Sequence, residues 1–159
     1  MSCKTNAVVE VLANKGILHD DIIACLDRFI DKWSVRPIEA VLDCHVISEQ
    51  ALADLLSNEL GYQRIHTITK DSFSSSAFNA VSYTEALDWQ VLPFGKDAAG
   101  MAYHVVMVDP TQKNVITEIE RRVELPVAVA VSEKRRIVQA INEFYPVELQ
   151  ISSLVHASE

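Results

Sequence analysis

The chain has 159 residues and a formal charge of −8, with 49% hydrophobic and 23% charged residues. That is enough chain to bury a core, in one domain or two small ones. Its acidic balance disfavours nonspecific binding to nucleic acid or anionic lipid, and no apolar run approaches the ~20 residues of a membrane span.

Three cysteines, Cys3, Cys25 and Cys44, form no CxxC pair. An odd, scattered set suits a reducing compartment rather than a disulfide framework, and the start MSCKTNAVVEV has no apolar run fit for a leader. The expected location is cytoplasmic. The basic groups Arg121-Arg122 and Lys134-Arg135-Arg136 stand beside glutamates in helical stretches and read as solvated faces.

The first 61 residues read as helices. Ala7 to Asn14 predicts a short helix stopped by Gly16 in left-handed backbone. His19 or Asp20 starts the next, in which Ile22, Ile23, Leu26, Phe29, Ile30 and Trp33 recur at helical spacing. Cys25, three residues after Ile22 and four before Phe29, is expected on the apolar, buried face. Pro37 suits the first turn of a third helix that ends near Cys44. Ser48 caps a fourth, SEQALADLLSNELG, which closes at Gly61.

From Tyr62 the texture changes. QRIHTI predicts a strand, TKDSFSSSAFN a polar connection and VSYTEALDW a short helix. WQVLPFG and MAYHVVMVDP predict strands, joined by a hairpin loop, GKDAAG. TQKNVITEIERRVE predicts a helix capped by Asp109 or Thr111. LPVAVAV is nearly all apolar and predicts a strand covered on both faces. Ser132 is the expected cap of EKRRIVQAINEFY, which Pro146 ends, and the tail VELQISSLVHASE is weakly patterned. The predicted fold class is α+β: a helical subdomain over 1–61, then an α/β subdomain over 62–159 with a sheet of three or four strands. No Pro/Gly/Ser linker separates the halves, so they are expected to pack as one body.

The helical half repeats itself. With Gly16 set on His45, an offset of 29, Val9 meets Ile38, Glu10 meets Glu39 and Leu12 meets Val41. Ile17-Leu18 meets Val46-Ile47, Asp20 meets Glu49, and Ile23-Ala24 meets Leu52-Ala53. Each unit is a helix, a tight turn and a longer helix, and two such hairpins are expected to pack with approximate two-fold symmetry.

This tandem unit, its register and its α/β continuation resemble the N-terminal domain of the type II secretion and type IV pilus assembly ATPases. In that family each unit reads roughly R-L-G-x-x-L-x-x-x-G-L-I-[ST]-E-x-x-L-x-x-x-L-x-x-Q. In the second half, QVLPF resembles the family's strand with a central proline. HVVMVDPTQ resembles its L-x-V-A-M-x-D-P-T-[ND] turn, and VELPVAVAVSEKRRIVQAINEFY its closing strand and helix. The resemblance spans about residues 7 to 145. It implies a non-catalytic adaptor that couples a motor ATPase to a membrane-anchored cytoplasmic partner. In a subset of the family the tandem units bind cyclic di-GMP, and the same domain type is also fused to membrane glycosyltransferases.

Carried over position by position, the arginine slot of the two units holds Ala7 and Arg36. The first glycine slot holds Val9 and Ile38, the second Gly16 and His45, and the closing glutamine slot Ile30 and Glu59. Only Arg36 and Gly16 keep the family residue. Branched side chains stand where a ligand needs bare backbone, and Glu59 places a carboxylate near a dianionic ligand. The nucleotide site, Arg36, Gly16, His45 and Glu59, is therefore degenerate, and cyclic di-GMP is expected to bind weakly or not at all. A degenerate cyclic di-GMP sensor is the alternative to the adaptor reading.

No catalytic constellation emerges. The four glycines form no GxxxxGK[ST] loop, so nucleotide hydrolysis is not expected. The adjacent Cys44-His45 and the scattered His19, His66, His104 and His156 lack metal-ligand spacing. The serines of SFSSSAF lack the glycines of a nucleophile elbow. No cofactor, metal or nucleic acid is expected. Partner contact is expected on the edge strand carrying Arg64 and His66, with the groove lined by Val9, Ile38 and Ile30 as the competing surface.

Overall fold

The computed structural model describes residues 6–157; Cys3 lies outside them. In the helical half, α1 is Ala7–Asn14, α2 Asp20–Trp33, α3 Pro37–Asp43 and α4 Glu49–Leu60. Asn6 opens α1, its Oδ1 accepting from the Val8 and Val9 amides, and Ser48 opens α4 by accepting from the Ala51 amide at 3.1 Å. Gly61 closes α4 in left-handed backbone.

The two units superpose in their hydrogen bonding. The Gly16 amide donates to the Ala13 carbonyl at 3.0 Å and the Ile17 amide to Leu12 at 3.0 Å. At an offset of 29, His45 donates to Leu42 and Val46 to Val41, each at 3.1 Å. Both turns are Schellman closures, in which a left-handed residue lets the next amide reach back to an orphan carbonyl. The aligned pairs Val9/Ile38, Leu12/Val41 and Ile23/Leu52 are all buried. Cys25, expected on the buried face, is exposed. The inward side of α2 centres on Ile23, Leu26 and Ile30, and Cys25 lies roughly 130° round the helix from it.

The α/β half contains β1 (Gln63–Arg64), α5 (Tyr83–Trp89), β2 (Val91–Lys96), β3 (Tyr103–Met107), α6 (Lys113–Val123), β4 (Val127–Val131), α7 (Lys134–Phe144) and α8 (Val147–Ala157). The four strands form a mixed sheet in the order β1-β4-β3-β2. β1 and β3 run parallel to β4, and β2 runs antiparallel to β3. No strand from the residues described before Gly61 enters it. A bulge in β2 falls between Pro93 and Gly95. A Cβ on Gly95, at φ +96°, would stand 2.0 Å from Ser74 Oγ and 2.9 Å from the Ala77 amide nitrogen, so the serine-rich segment closes over β2 only because this residue is glycine.

Four local expectations are corrected. The strand expected over QRIHTI pairs only at Gln63 and Arg64. β4 ends at Val131, and the next residue, Ser132, turns its hydroxyl onto the Ile65 carbonyl at 2.9 Å, which closes the ladder. That leaves Glu133 rather than Ser132 as the N-cap of α7. Asp109 and Thr111 bond each other across Pro110, so neither caps α6, whose N-cap is Gln112. β4 is covered fully only at Ala130 and Val131; its first three residues are half-buried. The weakly patterned tail forms α8, which packs on α5 and bonds Thr84 through Ser153 Oγ.

One core runs through both halves, from Val8, Leu12 and Leu26 through Leu52 and Leu56 to Val106, Met107, Ile137 and Tyr145. α4 lies against β1 and β4. Burying each such side chain is worth about 1.5–3 kcal/mol, so this contact is a substantial part of what holds the chain together.

Candidate functional site

Arg36 and His45 stand at opposite ends of α3. Arg36 is its N-cap residue, and His45 follows its C-cap, Cys44. A helix of this length spans about 10 Å, so the two slots do not meet in one pocket. Val9 and Ile38, at the positions where the family has glycine, are 1% and 2% exposed and fill the core. At that burial they line no open groove, and Ile30 is partly buried against the same core. Glu59 bonds Lys15 Nζ at 2.6 Å, tying the end of α4 to the residue before Gly16.

Arg36 is half-exposed but engaged. Its Nη2 donates to Glu39 Oε1 at 3.2 Å, and the same oxygen accepts from Gln90 Nε2 at 3.2 Å. Gln90 is buried, lies in left-handed backbone between α5 and β2, and its Oε1 has no hydrogen-bond partner among the described residues. The carboxylate of Glu39 thus links the one retained arginine slot to the interior of the α/β half. His45 lies on a separate cleft of about 700 Å³, with Ser48 and Glu49 on one side and Lys134 and Arg135 of α7 on the other.

Arg64 and His66 have different fates. The Arg64 side chain is only 10% exposed. Its Nε donates to Asp54 of α4 at 2.9 Å, its Nη2 to Glu133 at the start of α7 at 2.9 Å, and its Nη1 to the Ile65 carbonyl. The Arg64 bond is the chief reason the Glu133 carboxyl is held below its usual range. Arg64, expected as a partner-contact residue, therefore fastens α4, β1 and α7 together and leaves little of its side chain exposed. His66 is exposed just beyond the end of β1, and β1 is an edge of the sheet.

A third cluster was hidden in the sequence. Arg122, which reads as one of a pair of solvated cations, forms a two-pronged bond to Glu85 at 2.8 and 2.7 Å. It also donates to Glu118 at 3.0 Å and to the Ala80 carbonyl, and its guanidinium lies 5.3 Å from the Trp89 ring centre. The Arg122 bond holds the Glu85 carboxyl down to about 2. Arg122 borders a cleft of about 690 Å³ under α8, but two carboxylates already balance its charge. The periodicity of α6 could not reveal this, because Glu85 is 37 residues away. Among the described residues no group of His, Cys, Asp and Glu is placed to hold a metal ion.

Residues 60–151, which take in most of the α/β half, match the family model described as the MshEN domain. This is more than half of the chain, and the chain belongs to that family, the N-terminal domains of type II secretion and type IV pilus ATPases. Similar solved structures include one of MshE with cdg, at 13% identity and TM-score 0.66, covering 88% of this chain and 99% of that one. The N-terminal domain of XpsE is similar in two crystal forms. One has 17% identity, TM-score 0.66 and coverage of 92% and 98%. The other has 15% identity, TM-score 0.58 and coverage of 87% and 94%. At these identities the structures establish the shared fold. Among curated proteins none matches the sequence.

Proposed function

We propose that the chain is a non-catalytic adaptor of a type II secretion, type IV pilus or related envelope machine, acting at the cytoplasmic side through a membrane-anchored partner. The observation that carries this reading is where the family match falls. It covers most of the α/β half and omits most of the tandem units, whose glycine slots are filled by buried Val9 and Ile38. No helix among the described residues is long and apolar enough to cross a membrane, so on this reading membrane attachment comes from the partner.

The docking surface proposed is the outer edge of β1 with His66. Arg64 contributes by holding β1 rigidly against α4 and α7, so that a partner strand meets a preformed edge. The test is a pull-down and titration with the cytoplasmic domain of a membrane-anchored component of such a machine. Thr67→Pro and His66→Glu are expected to weaken binding at least tenfold while Arg36→Glu leaves it unchanged. Binding that survives both edge changes and is lost with Arg36→Glu overturns the edge version.

A second reading, a cyclic di-GMP sensor, draws support from the likeness in fold to MshE, whose structure was solved with cdg. The retained Arg36 is the residue it would use, and the Glu39 carboxylate occupies it.

A further inference from the structure

A cleft of about 700 Å³ lies between the turn that joins α3 to α4 and the start of α7. Asp43, the last residue of α3, and Glu49, the first of α4, line it from the helical half. Lys134 and Arg135, the first two residues of α7, line it from the α/β half. Leu42, Ile47 and Val138, all half-buried, add apolar surface. Among Arg36, Gly16, His45 and Glu59 only His45 reaches this cleft, so its charged walls are not the nucleotide slots.

The side chains of Asp43, Glu49, Lys134 and Arg135 have no bonded partner among the described residues. Elsewhere the chain engages its arginines: Arg28, Arg36, Arg64, Arg121, Arg122 and Arg136 each donate to another side chain. Arg135 is the one arginine among the described residues that does not. Glu49 and Lys134 also border one narrow crevice, with Leu52 and Val108, and still form no ion pair. Charges open to water gain little from one another. A partner that fills the cleft expels that water, and the charge-assisted bonds it makes there strengthen.

We propose that this cleft is a docking groove for a partner's amphipathic helix whose two flanks carry opposite charge. Its carboxylates meet Lys134 and Arg135, its cations meet Asp43 and Glu49, and its apolar side chains rest on Leu42, Ile47 and Val138. A wholly acidic helix would set its charge against Asp43 and Glu49, and a wholly basic one against Lys134 and Arg135, so the walls select a split pattern. An extended strand finds no sheet edge here, because helices and a turn form the walls. The groove shares no lining residue with β1 or with His66, so it stands apart from the edge proposed above.

Three synthetic helical peptides test this. They share leucines at i, i+4 and i+7 and differ in their flanks: glutamate on one and lysine on the other, glutamate on both, or lysine on both. Each is titrated into the full chain by calorimetry, with amide chemical shifts locating the contact. The mixed peptide is expected to bind at least fivefold tighter than either other one and to shift the amides around Glu49 and Arg135. Arg135→Glu and Glu49→Lys are each expected to weaken it at least fivefold. The double variant is expected to restore binding, since the peptide then fits with its direction reversed, and His66→Glu is expected to change nothing. Absence of binding, equal binding of all three peptides, tighter binding of the all-glutamate peptide, or a double variant no better than the single ones overturns the proposal.

Discussion

Gly16 and His45 hold the same left-handed backbone conformation, φ +74° and +55°, 29 residues apart, and each lets the following amide reach back five residues to its helix. The repeat is therefore present in the hydrogen bonds as well as in the hydrophobic pattern. It also sets a strain in one unit that the other lacks. Left-handed backbone costs glycine little, whereas a Cβ in this region costs roughly 1 kcal/mol. His45 is exposed, so its replacement sacrifices little packing. His45→Gly is expected to raise stability by about 0.5–1 kcal/mol, and Gly16→Ala to lower it by a similar amount. Urea unfolding of the two variants checks the pair, and equal effects of the same sign would count against it.

Arg64 gives a second prediction. Its guanidinium is nearly buried and meets two carboxylates from elements far apart in sequence, with Asp54 more exposed than Glu133. Truncation leaves Glu133 without its main partner, although Arg136 still reaches it at 3.2 Å. Because neither carboxylate is fully buried, Arg64→Ala is expected to cost about 1–3 kcal/mol rather than the larger penalty of an isolated buried charge. A double-mutant cycle with Glu133→Gln, read by denaturant unfolding, should give coupling of about 1 kcal/mol, and additive effects would refute the contact.

The legibility of the chain divides along physical lines. Elements whose evidence is local were readable: the Gly16 and Gly61 stops, the Ser48 cap, the Pro37 start and the hairpin between β2 and β3. What failed depended on distant partners. Ser132 looks like a cap, but the Ile65 carbonyl takes its hydroxyl. Arg64 looks like an exposed edge residue until Asp54 and Glu133 are brought to it. Arg122 looks solvated until Glu85 arrives from α5. α8 went unread because it keeps Val147, Ile151, Leu154 and Val155 exposed, which blurs the contrast between faces that marks an amphipathic helix. Of the nucleotide slots, the substitutions were legible but not the capture of Arg36 by Glu39.

Acid should act through Glu85. Its carboxyl titrates at about 2 in the folded chain against 4.5 as the ordinary value, chiefly through the bond from Arg122. A depressed folded value adds stability that is fully present above the unfolded value and is lost as pH falls through the folded one. The window is therefore between about 4.5 and about 2. The pair is partly open to solvent, so its contribution is discounted to about 1–2 kcal/mol. Stability measured against pH should fall through this window, and Glu85→Gln should flatten part of that fall while lowering stability at pH 7. An unchanged profile in Glu85→Gln would show that other carboxylates carry the acid sensitivity.

The last prediction concerns the nucleotide slots. Binding a dianionic ligand at Arg36 would require Glu39 to give up its bond to that guanidinium, while Glu39 also holds the buried Gln90 amide. A ligand approaching the backbone at the first glycine slot would further have to displace Val9 and Ile38 from the core. Each lost charge-assisted hydrogen bond removes about 1.5–3 kcal/mol, and two or three such losses carry a micromolar ligand to about millimolar or weaker. Calorimetry with cyclic di-GMP is therefore expected to register no binding at micromolar concentrations in the wild-type chain. Glu39→Gln frees Arg36 but leaves Val9 and Ile38 in place, so it is expected to stay silent as well. A low-micromolar dissociation constant in the wild-type chain, abolished by Arg36→Ala, would establish the sensor reading and displace the adaptor one.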